Sequence, residues 1–549
     1  MLCRSRLVGA LALALAACHA AERRAASASG PELLPGLDVY TRPVRTGSAE
    51  AQLWFDQGLV LAWAFNHAEA RRSFARAAEL DPACAMAFWG MAWAAGPNIN
   101  DPAMDEERSR AAYEASRRAL ELTQGQSGVE RDLAVALSKR YSWPAPDDRR
   151  ELDREFAGEM RRVWQAHARD ADVGAIFAEA LMDLRPWDLW SQSGEPRPTT
   201  PEVLATLEAV LAIDPEHPQG LHATIHALEA SPNPERALAA ADRLRERVPG
   251  AGHLLHMPSH IDVLVGRYAD AIAANRRAIA ADLAYVERAG RTGFYNLYRA
   301  HNYHMLAYAA MFDGQSRAAL EAARELVTEV APAALAEMPL ALDAYVSTPY
   351  HVQVRFGLWD EILREPDPGP GLPVTRATRH YARGVALSAL GLLRDARAER
   401  AALEHACSAV PAGASLGNNS ALEVLAIARA MLEGELEYRD GRFDRAFERL
   451  REAVRLDDAL RYDEPWSWMQ PVRHALGALL LDQGRLEEAE QVYREDLRRH
   501  PANGWSLHGL AESLERQDRA AETAAVRAEL SEAWERADIE LHASCFCRR

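Results

Sequence analysis

A short phrase recurs along this chain. Gly266-Arg267-Tyr268, Gly441-Arg442-Phe443 and Gly484-Arg485-Leu486 each set a glycine and an arginine before a large apolar residue. Helical spacing continues after each phrase: Ala271, Asn275 and Ala278 after the first, Ala446, Leu450 and Ala453 after the second, Ala489 and Tyr493 after the third, which runs to Pro501. Nearer the start, Trp54, Gly58, Ala70, Phe74, Ala77 and Pro82 stand at spacings of 4, 12, 4, 3 and 5. Degenerate copies turn near Gly314, Gly357 and Gly391. Glycine supplies a tight turn between two helices, alanine lets them approach, and proline closes the second. A unit this short cannot bury its apolar face alone, so its copies must stack.

This alternation resembles the tetratricopeptide repeat, a unit of about 34 residues folded as helices A and B. The fold expected is therefore all-α: a tetratricopeptide-repeat (TPR) right-handed α-solenoid with a concave groove. Heavy use of alanine and arginine with few β-branched residues agrees with helix almost throughout. Gly96-Pro97-Asn98-Ile99-Asn100 interrupts the pattern, and residues 102–184 read as longer, less regular helices. A loop spans Arg185 to Pro201, a Pro/Gly run spans Pro366 to Pro373, and another loop spans Ser408 to Asn419. These breaks outline an N-terminal solenoid at 49–365 and a C-terminal one at 374–541.

The N-terminus reads as a targeting segment. Arg4 and Arg6 precede an apolar run from Leu7 to Ala17, too short to span a bilayer. Leu15-Ala16-Ala17-Cys18 resembles the bacterial lipobox, which implies a signal peptide at 1–17 and lipidation at Cys18. Residues 18–48 are expected as a flexible tether, and the protein as lipid-anchored at the bacterial cell envelope, facing periplasm or outer membrane. Contact with the membrane is expected through that lipid alone. The formal net charge of −17 gives no general attraction for nucleic acid, and none is expected as a partner. Six cysteines in 549 residues are too few for a disulfide scaffold. One intervening residue would strain a disulfide between Cys545 and Cys547.

Function is carried by histidines. Eight of the 18 fall within 88 residues: His217, His222, His226, His253, His256, His260, His301 and His304. With Ala237, Ala271 and Ala319 taken as repeat position 20, His222, His256 and His304 share position 5. His226 and His260 share position 9, with Tyr308 in the third copy, and His253 and His301 share position 2. The TPR resemblance implies that positions 2, 5, 9, 12 and 13 line the groove, which adds Glu229 at position 12. Pro258 belongs in a helix's first turn, so a helix start near Leu255 is expected, leaving His253 on the preceding loop.

His222 with His226 and His256 with His260 are i,i+4 pairs, and His301 with His304 is an i,i+3 pair. Neighbouring helices pack about 8–10 Å apart, so imidazoles from several can converge on one ion. His222, His226, His256, His260 and His304 are the expected ligands, with His253, His301 and Glu229 as auxiliaries. All cannot bind one ion, so some must serve behind the ligands or at a second site. Such a set suits Zn, Cu, Fe or Ni rather than Ca or Mg. A metal-dependent enzyme acting on a small molecule or peptide is one expectation, with Glu229 as catalytic proton acceptor. The other is a non-catalytic scaffold whose groove takes a peptide or protein partner.

Other residues attract weaker readings. His67 falls at an A–B turn as a helix cap, His351 stands behind the ligands, and Trp54, Trp63, Trp89 and Trp93 read as core or groove aromatics. Trp187 and Trp190 are placed to cover the groove. No phosphate loop, dinucleotide fingerprint, Gly-X-Ser-X-Gly or His-Glu-X-X-His motif occurs. The strings Ala64-Phe65-Asn66-His67, Gly96 to Asn100, Gly252 to His260 with its His-Met-Pro-Ser-His core, and Ser544-Cys545-Phe546-Cys547 resemble a group of bacterial TPR proteins, often secreted. That resemblance implies no particular activity.

Overall fold

Phe74 lies between two glycines. A Cβ added to Gly58 would come within 2.8 Å of its ring, and one added to Gly90 within 2.5 Å. The helices Ala49–Trp63, His67–Leu80 and Ala85–Ala95 thus meet so closely that only hydrogen fits at those two positions. The device returns where Tyr493 sits between Gly477 and Gly509, at either of which an added Cβ would overlap its ring. Gly90→Val is expected to cost about 1–3 kcal/mol through overpacking, read as a lowered melting temperature. Gly158, in the helix Arg150–Ala166 with nothing within 4 Å of an added Cβ, accepts alanine without loss.

The computed structural model describes residues 32–290, 294–329 and 332–548. Among them the structure is all-α apart from the two-residue strands Ser415–Leu416 and Asn419–Ser420, paired antiparallel inside the expected loop. Within each unit, helices joined by short turns pack as antiparallel hairpins, and neighbouring hairpins pack on one another. This is the tetratricopeptide type of architecture, with the turn glycines where the repeat puts them. Gly266, Gly314, Gly357, Gly391, Gly441 and Gly484 all have positive φ, the conformation an L-residue resists. The turn of the first hairpin, Ala64-Phe65-Asn66, has no glycine, and Phe65 takes the positive φ of 56° itself. Asn66, not His67, caps the helix after it, accepting from the Glu69 amide. No helix among the described residues is long and apolar enough to cross a membrane.

Two compact units result. Of the described residues, the first takes those in Met1–Arg169, Val248–Gly252 and Ala280–Arg291, and the second takes Asp170–Arg247, His253–Ile279 and Thr292–Arg549. The stack therefore continues through the Pro/Gly run of 366–373, where the sequence suggests a division. The reason is local: the Asp343 carboxylate, on the helix Pro339–Val346, accepts from the amides of Val374 and Thr375 at 2.7 and 3.1 Å, tying the helix Pro373–Ala389 across the run.

Both chain ends depart from expectation. Residues 32–48, expected as tether, lie pinned on the first unit. Gln57 bonds the backbone of Glu32 and Leu34, the Arg42 amide donates to Asp56, and Leu37 is buried. Residues 1–31, with the expected signal peptide and Cys18, lie outside the described residues. At the other end the tail docks beyond the expected limit of 541. Tyr493 shares a 2.6 Å hydrogen bond with Ser544, and Cys545 and Cys547 are disulfide-bonded to each other.

Candidate metal centre

Three stretches of the second unit supply the histidines. The helix Pro218–Glu229 begins at a proline, whose missing amide costs nothing at that position. It is capped by His217, whose Nδ1 accepts from the Gly220 amide at 3.0 Å. His217 is therefore structural, while His222, His226 and Glu229 project from this helix. The next histidines sit on Gly252–His256 and Pro258–Leu264, two segments broken at Met257. Proline opens the second segment as its chemistry requires, but the first is already helical, so His253 lies on a helix and not on a loop. Tyr295–Phe312 carries His301 and His304.

The imidazoles form two triads. The ligand atoms of His222, His226 and His253 lie within 4.8 Å of one another, and so do those of His256, His260 and His301. Within them, Nε2 of His222 and His253 are 3.1 Å apart, Nε2 of His256 and His260 are 2.7 Å apart, and Nε2 of His260 and His301 are 3.5 Å apart. The triads adjoin, with ring centroids 5.6 Å apart for His226 and His260 and 6.1 Å for His253 and His256.

Behind the rings, acceptors fix the tautomers. Glu229 receives Nδ1 of His226 on one oxygen at 2.7 Å and Nδ1 of His260 on the other at 2.6 Å. These are lengths of charge-assisted N–H···O bonds. Asn275 directs its amide NH2 to the Ala271 carbonyl, leaving its oxygen for Nδ1 of His256 at 2.6 Å. Gln219 likewise gives its NH2 to Glu179 and its oxygen to Nδ1 of His222 at 3.0 Å. With the proton on Nδ1, the Nε2 of each neutral ring carries a lone pair. Four Nε2 lone pairs thus face the interior of the cluster.

Electrostatics favour the neutral form of His253, His256, His260 and His301. Burial first, then the neighbouring imidazoles, pushes His253, His256 and His301 well below the ordinary histidine value. Burial also lowers His260, opposed by the Glu229 charge. Burial works to raise Glu229, yet His226 and His260 hold it below the usual carboxylate range.

The site is not the open groove expected. Every triad histidine except the half-buried His301 is buried, and so is Glu229. Covering it is a segment that no motif or repeat position marks. Tyr462 donates to Glu229 at 3.4 Å, and Glu464 lies near enough for repulsion by Glu229 and Asp463 to add to burial in raising its carboxyl well above the ordinary value. Trp187, from the expected covering loop, meets His226 edge-on at 5.5 Å, while Trp190 donates to the Ala227 carbonyl.

His304 does not join the triads. Its Nε2 lies 3.2 Å from the Met469 sulfur and its ring packs on Tyr345 at 5.0 Å. Burial, with the nearby His351, lowers it to about 3. The cause is helical geometry: at 100° per residue, His301 and His304 diverge by about 60° around their helix. His351 packs on Trp468 away from the triads, at 5.3 Å. Asn275, Gln219, Tyr462 and Glu464 are the neighbours that sequence reasoning missed.

No protein-family model matches the chain, and no curated protein matches it. Among solved structures, the human IFIT1 dimer with m7Gppp-AAAA is similar over 90% of this chain and 92% of its own, at 11% identity and a TM-score of 0.33. The APC/C hetero-tetramer Cut9–Hcn1 is similar over 92% of this chain and 79% of its own, at 12% identity and a TM-score of 0.28. At these scores neither likeness bears on what this chain binds.

Proposed function

We propose that the second unit binds transition metal through the inward Nε2 atoms of its clustered histidines, and that the bound metal serves an enzyme acting on a small molecule. The observation that carries this is the His256–His260 pair. Both Nδ1 protons are committed, to Asn275 and to Glu229, and the two Nε2 atoms stand 2.7 Å apart. Two neutral rings so arranged point lone pair at lone pair. A proton between them would create an imidazolium in a buried place that disfavours charge. A cation accepting both lone pairs removes the conflict.

The donor chemistry favours Zn, Cu or Fe, which take imidazole, over Ca or Mg, which take oxygen. An ion of that class supplies Lewis acidity or electron transfer. The chain's own residues hold the rings. Glu229, Asn275 and Gln219 fix the orientations that ligation needs, and Glu229 does so for one ring of each triad. With both oxygens engaged, Glu229 is read as a positioning residue and not as the proton acceptor expected from the sequence. Burial of the cluster favours a small substrate over a peptide. The Cys18 motif adds, in this reading, a lipid anchor at the cell envelope.

The test is metal analysis of chain purified without a histidine tag. At least one equivalent of transition metal is expected, falling sharply in His256→Ala. Less than about 0.2 equivalent, unchanged by that substitution, would leave the helical hairpins as a scaffold for peptide or protein partners.

A further inference from the structure

We infer that the second unit holds two transition-metal ions side by side, one in each histidine triad. This rests on the metal-binding reading above and goes further, because one ion among these histidines would satisfy that reading equally. Six imidazoles exceed what one four-coordinate ion accepts, and they form two all-histidine triads, joined by a third grouping of His226, Glu229 and His260. His222, His226 and His253 gather their ligand atoms within 4.8 Å, and His256, His260 and His301 gather theirs within the same limit.

Spacing inside each triad suits an ion of its own. With metal–nitrogen bonds of 2.0–2.1 Å at tetrahedral angles, two nitrogens on one ion stand about 3.3 Å apart. The Nε2 separations are 3.1 Å in the first triad and 2.7 and 3.5 Å in the second. Three protein nitrogens per ion leave each a coordination position for an exogenous ligand, the arrangement of catalytic rather than structural sites.

What pairs the ions is Glu229. Its carboxylate takes Nδ1 of His226 from one triad and Nδ1 of His260 from the other. A single anion therefore orients one ligand of each ion and offsets charge on both. Ring centroids of His226 and His260 only 5.6 Å apart make the two ions neighbours. The neutral all-nitrogen donor set selects ions that favour imidazole, copper and zinc foremost.

The experiment uses the untagged chain, stripped with chelator and then titrated separately with Zn(II) and Cu(II). Two equivalents per chain are expected. His253→Ala and His301→Ala, placed in different triads, should each retain one equivalent, and the double variant none. Circular dichroism confirms that the variants stay folded, with His253→Asn and His301→Asn as gentler replacements. In the copper-loaded parent, the paramagnetic signal should fall well below that of its copper content through coupling, and each single variant should restore the full signal of one Cu(II). One equivalent in the parent, abolished by either variant, overturns the pair and leaves single-ion binding standing. Two equivalents with full, uncoupled signals overturn their adjacency. No binding of either metal overturns both readings.

Discussion

Glu229→Gln is expected to weaken metal binding by about 100-fold or more at one triad while leaving the helices intact. In the parent each carboxylate oxygen accepts one Nδ1–H, from His226 and from His260. Glutamine offers one oxygen and one NH2. The oxygen keeps one ring as it was, and the NH2 faces the other ring's N–H. That ring must move its proton to Nε2, the atom it needs for the metal, or turn away. Losing the acceptor behind a ligating histidine alone costs about 10–100-fold in affinity, and forcing the wrong tautomer adds to it. Competition against a chromophoric chelator measures the change, and Glu229→Asp, one methylene too short to reach both rings, should also weaken binding. Unchanged metal affinity with turnover abolished would return Glu229 to the role of proton acceptor.

The same residues show what the sequence disclosed and what it withheld. Glycine turns and small-to-large spacing disclosed the hairpins, because one packing solution repeats wherever a short unit must bury the same face. Phe74 between Gly58 and Gly90 is that solution in atoms. Repeat register also brought His222, His226, His256 and His260 to one place, because side chains at i and i+4 share a helix face. It failed at His304 because equal register assumes equal helices. The preceding segment is broken at Met257, and His301, one turn earlier on its own helix, meets the second triad instead.

Asn275 was legible in principle. Four residues after the small alanine, the other copies place Phe74, Leu450 and Tyr493, all buried core residues. A buried amide in that slot signals a polar partner, here Nδ1 of His256. Tyr462 and Glu464 were not legible. They reach Glu229 from 233 and 235 positions away in the chain, and no periodicity in sequence encodes a contact between distant repeats.

Asp496→Ala should be the most damaging single substitution in the second unit, costing about 4 kcal/mol or more. The buried carboxylate holds four donors: His474 Nε2 at 2.8 Å, His500 Nδ1 at 3.2 Å, the Asn503 amide at 3.1 Å and the Ser506 hydroxyl at 2.7 Å. His474 in turn accepts from Arg355 on Nδ1 at 2.6 Å, so a neutral imidazole links a buried guanidinium to a buried carboxylate. Arg355 lies 3.7 Å over the Trp505 ring, and burial pushes it down to about 9. Burial works to raise Asp496, but His474 and His500 draw it well below the usual range. Removing the anion orphans the donors and leaves the guanidinium without its counter-charge, and breaking a buried pair costs about 3–5 kcal/mol. Asp496→Asn, which keeps the shape and one acceptor, should cost less. Acid acts in the same direction. Burial holds His474 at about 4 in the folded chain against 6.5 when unfolded, so the unfolded state gains the proton first and stability falls as pH drops from 6.5 towards 4. Urea unfolding of the metal-free chain measures both effects. A loss under about 1 kcal/mol in Asp496→Ala would mean that packing around Tyr493 and Trp505, and not this polar network, holds the C-terminal hairpins together.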